Sequence, residues 1–486
     1  MERFSLELPS LEELERLFEG IGGAQGSVTS TRMGEAGAKT ETDLACSRAV
    51  DALIVAINQA SDMRRWYTVT KELQLASLEL CVACRGAHTV SLVVGGDIPT
   101  TLLAEVDAPR AHPEKAQASR VPQVRARRVT WGMASLDLLN NPIASLTVAE
   151  ELCFRDAFNG SLEVRAWPRR LRKITFGERS RFNHQVEGVK WPASLEYLTF
   201  GWDFNHPIDG VEWPKSLRRL TFGWDFNQPI DGVQWPESLR SLTFDDKFNQ
   251  PIGRVTWPAS LRQLTFGYTF DRSIAGAVLP PSLLELCIGG DFNRPISRVL
   301  WPSSLQKLVF GGEFNRPIEG VTWPSSLREL LFESDFDQPI ERVVWPSSLR
   351  RLRLGNFNRS IESVTWPTSL QQLRFGRDFN QPLDGMPPSL EDLEVGPSFN
   401  QTVDRIQWPS LRRLVLKDGF RQSLQALGTA MPSLERLELH FYTKPDQYGI
   451  LRGIEWPPGL KHLTMDILAL GYPMYRPPGV SVCWEE

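Results

Sequence analysis

A 22-residue unit recurs through most of this chain, and its clearest copies read W-P-x-S-L-x-x-L-x-F-G-x-x-F-N-x-P-I-x-x-V-x. Trp-Pro pairs fall at Trp191, Trp213, Trp235 and Trp257, then at Trp301, Trp323 and Trp345, with Leu279-Pro280 filling the gap in step. A fixed period of this size specifies a solenoid, in which each unit stacks only on its neighbours. Length alone would suggest about three domains for 486 residues. The repeat overrules that expectation, because a solenoid grows without closing a core.

One unit, Trp235 to Val255, shows how the period folds. Leu239, Leu242 and Phe244 have the L-x-x-L-x-L spacing of a leucine-rich repeat. Leu242 and Phe244 are two apart, so they share one face of a short strand. With Trp235, Phe248, Ile252 and Val255 they form the apolar set expected inside. Burying so few side chains does not offset the entropy of ordering 22 residues, so a lone unit cannot fold. Stacking supplies the rest, and successive strands should form a parallel sheet at ~4.8 Å spacing.

Pro236 pushes Trp235 into an extended conformation and starts a turn, and Pro251 repeats this on the other side. Units this short with two prolines leave little room for convex helices, so extended segments are expected there. Asn249 follows Phe248 at the turn after the strand, where its amide can satisfy backbone groups of adjacent coils. The matching Asn205, Asn227, Asn293, Asn315, Asn358, Asn380 and Asn400 predict a structural ladder. Asp271 and Asp337 stand in the same column with acceptor character only, which predicts two weaker rungs.

The pattern of F-N-x-P-I after a strand and L-P-x-S-L before the next resembles the FNIP repeats, a short-unit subfamily of the leucine-rich repeats. It recurs from Phe182 to Leu390, with Trp replacing Leu before the proline except at Leu279-Pro280 and Met386-Pro387. The resemblance implies a curved solenoid with a parallel β-sheet on the concave face, few convex helices and protein binding as the general role.

The N-terminal third reads differently. Ser10 with Glu13 makes a capping box, followed by Leu11, Leu14, Leu17, Phe18 and Ile21 at helical spacing. A second helix is expected over about 43–59, and Leu78–Cys84 and Val90–Val94 alternate as strands do. Ala108–Arg128 is basic, proline-bearing and aperiodic, and reads as a linker. Trp131-Gly132-Met133-Ala134-Ser135-Leu136 reads as a worn Trp-Pro segment. The division expected is a small α/β cap region over 1–127, a solenoid over 128–470 and a tail over 471–486. Leu8-Pro9-Ser10-Leu11 through Phe18 is also similar to the opening of an F-box, which implies an alternative role as a substrate adaptor of a ubiquitin ligase.

Composition narrows the functional classes. Net charge is −4 from 54 basic and 58 acidic residues, which argues against a general nucleic-acid binder. The six cysteines follow no disulfide framework, and neither a signal peptide nor a membrane span is legible, so a cytoplasmic protein is expected. Cys81-x-x-Cys84 with His88 and His112 is a weak zinc pattern, because the last ligand is distant. No phosphate-binding loop and no nucleophile–histidine arrangement appears, so no enzyme activity, cofactor or metal is expected.

The remaining candidates lie on the concave face. Thr175, Thr199, Thr221, Thr243 and Thr265 form one column, which β-propensity alone explains. Further along, Arg351, Arg353, Arg374 and Arg413 cluster, and guanidinium groups suit carboxylate or phosphate partners unless nearby Glu and Asp neutralise them. Trp202, Trp224 and Tyr268 share one position just past the strand, outside the regular apolar set. Exposed aromatics there would anchor a protein or peptide partner; the alternative is packing on turn glycines or on each other.

Overall fold

A computed structural model of the chain describes residues 149–162, 167–404, 406–440 and 453–466, with strands at 67–69, 90–94, 126–131 and 481–485. The chain divides into two compact units, Met1–Met133 with Asn141–Leu152, and Ala134–Asn140 with Cys153–Glu486. In the first, β1 (Tyr67–Val69), β2 (Val90–Val94) and β3 (Ala126–Trp131) pair in parallel in chain order. The strand expected at Val90–Val94 is present. The linker expected over 108–128 overlaps the start of β3, and Trp131 ends that strand instead of opening a Trp-Pro turn. Gly132 follows Trp131, so no proline forces a turn, and the β-branched pair Val129-Thr130 favours extension. The helices expected over 11–21 and 43–59 lie outside the described residues.

The second unit is built from one short strand per coil. After β4 (Glu151–Phe154) come β5 (Lys173–Phe176), β6 (Tyr197–Thr199), β7 (Arg219–Thr221), β8 (Ser241–Thr243), β9 (Gln263–Thr265), β10 (Glu285–Ile288) and β11 (Lys307–Phe310). They continue as β12 (Glu329–Phe332), β13 (Arg351–Leu354), β14 (Gln372–Phe375), β15 (Asp392–Glu394), β16 (Arg413–Lys417), β17 (Arg436–His440), β18 (His462–Asp466) and β19 (Ser481–Glu485). From β5 onward each strand pairs in parallel with the next. β19 falls within the stretch expected to be a tail. Among the described residues the only α-helix is α1 (Leu427–Ala430), a single turn.

Register explains the core. Ile174, Leu198, Leu220, Leu242, Leu264 and Leu286 are partners in successive strands, and each is at most 1% exposed. Aromatic columns run beside them. Phe244 stacks on Phe248 of its own coil at 4.1 Å and on Phe222 of the preceding coil at 5.4 Å. Trp235 stacks on Trp257 at 6.4 Å and meets Phe244 edge-on at 6.5 Å. Such offset-stacked and edge-on geometries favour the ring quadrupoles.

Two side-chain ladders close the turns. Along the asparagine column, each Oδ1 accepts the backbone N–H of the same position one coil later, from Asn183 donating to Asn159 up to Arg421 donating to Asn400. Asp271 and Asp337 accept from Asn293 and Asn358 at 3.0 Å, as short as the neighbouring asparagine rungs, so the expected weakening is not seen. The rung uses only an acceptor, and a carboxylate is a strong one. Sequence reasoning missed the second ladder. The Ser of W-P-x-S-L donates to the Leu carbonyl of the previous coil, as Ser238 does to Leu217 and Ser260 to Leu239, both at 2.7 Å.

Candidate interaction surface

Side chains between the buried strand positions point away from the core. Thr175, Thr199, Thr221, Thr243 and Thr265 are register partners, and the column continues through Cys287, Val309, Leu331, Arg353, Arg374 and Glu394. A parallel column starts each strand and includes Tyr197, Arg219, Ser241, Gln263, Glu285, Lys307, Glu329 and Arg351. Both columns belong to one solvent-facing side of the sheet.

The four arginines singled out above do gather on this side, and each meets a carboxylate of a neighbouring coil. Arg351 pairs with Glu329 at 3.1 Å, Arg353 with Glu333 at 2.7 Å and Arg374 with Glu394 at 3.5 Å. Arg413 lies 3.0 Å from Asp392 and holds both oxygens of Glu438, at 2.8 and 2.9 Å. Burial opposes ionisation of Glu438, but the Arg413 hydrogen bonds and charge outweigh it and hold the carboxyl below its ordinary range. Glu394 behaves the same way: burial works against the charge, and the Lys417 ammonium at 2.6 Å overrides it. These arginines knit coils together, and their charge is largely spent within the sheet.

The aromatic trio lies just past the strand ends. Trp202 and Trp224 contact each other, with ring centroids 5.6 Å apart and tilted by 48°, and the Arg179 guanidinium sits 5.5 Å from the Trp202 centroid. Trp224 is 40% exposed and Tyr268 58%, so both retain free surface. The glycine column beside them lets coils approach closely. A Cβ on Gly289 would sit 1.7 Å from the Gly267 carbonyl oxygen, and one on Gly290 would meet the Tyr268 ring at 2.4 Å. Tyr268 therefore lies against a bare backbone.

No catalytic arrangement emerges on this surface. The Cys287 thiol is pushed up by burial and stays protonated at neutral pH, which disfavours it as a nucleophile. Among the described residues, no group of three or more His, Cys, Asp or Glu is placed to hold a metal ion, and no helix is long and apolar enough to cross a membrane. Cys81, Cys84, His88 and His112, and the adaptor-like helix near residues 8–21, lie outside the described residues.

Eight tandem matches to the family described as FNIP Repeat run over residues 182–356 and 357–394. These are FNIP repeats. A solved structure similar to the FNIP solenoid is CroV588, described as a novel circular LRR protein, at 32% identity and a TM-score of 0.56. The match covers 71% of this chain and 54% of CroV588, so this chain spans about half the length of that relative. A weaker similarity is to the TLR13–ssRNA13 complex, at 13% identity and TM-score 0.41, covering 71% of this chain and 61% of that one. An internalin, inlF from Listeria monocytogenes, matches at 13% identity and TM-score 0.40, covering 66% of this chain and 91% of that one. No curated protein matches the chain. The FNIP repeats and the leucine-rich-repeat neighbour agree with the parallel one-strand-per-coil architecture above.

Proposed function

We propose that this protein is a non-enzymatic scaffold that holds a protein partner on the exposed side of its parallel sheet, the concave side in solenoids of this class. One contrast carries the reading. The inward strand position is leucine in every coil from β6 to β18, whereas the outward position changes from Thr to Cys, Val, Leu, Arg and Glu along the same coils. Stacking demands the first column and leaves the second free for recognition. Non-repeating chemistry on a regular framework suits a partner with its own irregular surface.

Affinity capture from the native cell tests this. Thr221→Arg with Thr243→Arg places bulk on β7–β8, and Arg353→Glu with Arg374→Glu reverses charge on β13–β14. At least one pair is expected to lose the captured partner. Retention of every partner by both pairs rules the sheet side out.

A further inference from the structure

A second group of arginines behaves unlike the first. Arg218, Arg240 and Arg262 occupy the position just before β7, β8 and β9. Their backbones are hydrogen-bonded in sequence: Arg240 N–H donates to the Arg218 carbonyl and Arg262 N–H to the Arg240 carbonyl, both at 2.8 Å. The three guanidinium stems thus rise from adjacent rungs, ~4.8 Å apart. Arg219, the first residue of β7, stands beside them. Together with Tyr197 and Glu285 they rim a depression of about 270 Å³.

Charge in this depression is not balanced. Arg218 lies 3.6 Å from Glu196, but no carboxylate of the described residues pairs with Arg219, Arg240 or Arg262. Toward the C-terminal end the same column alternates sign, although Arg328 and Arg350, just before β12 and β13, are a second pair of adjacent like charges. Glu435 sits between Arg412 and Lys461 and pairs with them at 2.6 and 2.8 Å. Like charges on directly adjacent strands are destabilising. Three in a row without an interposed acid is the arrangement expected where the counter-charge comes from outside.

We propose that this depression binds a phosphorylated side chain of the partner protein, with Arg219, Arg240 and Arg262 as the principal donors. The proposal rests on the sheet-side reading above. The four lining guanidiniums against the lining Glu285 leave a surplus of three positive charges, with Glu196 shared between Arg218 and Arg172, which is enough to neutralise the ≈ −1.5 to −2 of a phosphate monoester at neutral pH. Guanidinium forks on rungs ~4.8 Å apart can reach different oxygens of one tetrahedral phosphoryl group, whereas a planar carboxylate engages one fork fully. The volume falls below the range typical of drug-sized ligand sites, and suits one charged side chain with its flanking backbone. A nucleic-acid strand would need a longer basic track, and this column passes to Leu284 and then Gln306.

Fluorescence anisotropy on the full chain tests the assignment. The probes are labelled nonapeptide pools centred on phosphoserine, phosphothreonine or phosphotyrosine, the same pools unmodified, and a uridine decamer. At least one phosphorylated pool should bind tenfold or more tighter than its unmodified counterpart. Arg219→Gln with Arg240→Gln and Arg262→Gln should abolish that preference, and the single Arg240→Gln should reduce it. Lys190→Gln with Arg342→Gln, both exposed and outside the strands, should leave it intact. All these side chains are substantially solvent-exposed, and unchanged thermal midpoints establish that the variants fold. A preference below tenfold, or one indifferent to the triple variant, overturns the proposal. So does tighter binding of the decamer than of every peptide pool. A cellular partner captured equally after phosphatase treatment, yet lost with the β7–β8 variant, sinks the phosphate site and leaves the sheet-side scaffold standing. Capture indifferent to every sheet-side variant sinks both.

Discussion

Asp271 accepts the backbone N–H of Asn293 at 3.0 Å, in the place where Asn227 accepts that of Asn249 at the same distance. A carboxylate and a carboxamide do the same work there, because the donor is the backbone and only an oxygen is needed. The side chain one residue further on reinforces this. Gln250 donates to Asn227 Oδ1 at 2.9 Å, and Arg294 reaches both Asp271 oxygens. Substituting Asn227→Asp should therefore cost less than about 1 kcal/mol. Asn227→Ala orphans the Asn249 N–H and should cost about 1–3 kcal/mol. Urea denaturation midpoints of the two variants check the ordering; equal losses would contradict the acceptor-only account.

Trp235 and Trp224 share a residue type but not a role. Trp235 is 8% exposed and stacked in the interior column, so Trp235→Ala should cost about 3–5 kcal/mol. Its indole N–H has no hydrogen-bond partner, and Leu279 fills the equivalent place naturally. Trp235→Leu should thus be milder than Trp235→Ala. Trp224→Ala, at the exposed position, should shift stability by about 1 kcal/mol or less. Thermal melts of the three variants test the ranking.

Glycine is required by the coil spacing at Gly289 but not at Gly312. The Gly267 carbonyl occupies the space a Cβ on Gly289 would need, whereas nothing lies closer than 3.8 Å to one on Gly312. Gly289→Ala should destabilise by about 3 kcal/mol, near the upper end for overpacking, since backbone must move. Gly312→Ala should be neutral or slightly stabilising through the unfolded state. Circular-dichroism melts that show both variants alike would refute the close-approach argument.

Acid should loosen the C-terminal coils through Glu394 and Glu438. Both carboxyls are held below their ordinary range in the fold, despite burial, by Lys417 and Arg413 respectively. Unfolded glutamate takes up its proton near pH ~4.3, so the folded chain binds fewer protons around that pH. The stability these groups contribute is complete above about pH 5 and declines as pH falls through their lowered folded values. Glu438→Gln should lower the urea midpoint at pH 7 and converge with the parent at the acid end. A constant offset across the whole pH range would show that the ion pair is not its origin.

Period and spacing made the repeat architecture legible. Leu239, Leu242 and Phe244 announce one strand per coil because a solenoid imposes the same burial on every copy. Charge pairing was less visible, since Arg353 and Glu333 or Arg374 and Glu394 lie far apart along the chain and adjacent only across coils. Scanning for opposite charges about one repeat away on either side would have found them. The serine ladder was written in the motif, but the acceptor of a rotatable hydroxyl depends on how closely coils approach. The unpaired set Arg219, Arg240 and Arg262 escaped for the opposite reason: its distinguishing property is the lack of an acid in register, and a motif records what recurs.

The asparagine rungs also give the stack a direction in time. Every acceptor oxygen precedes, by 20 to 24 residues, the N–H that it receives. During synthesis, once enough coils have stacked to hold their shape, each newly emerging coil meets a predecessor whose acceptor oxygen is already in place.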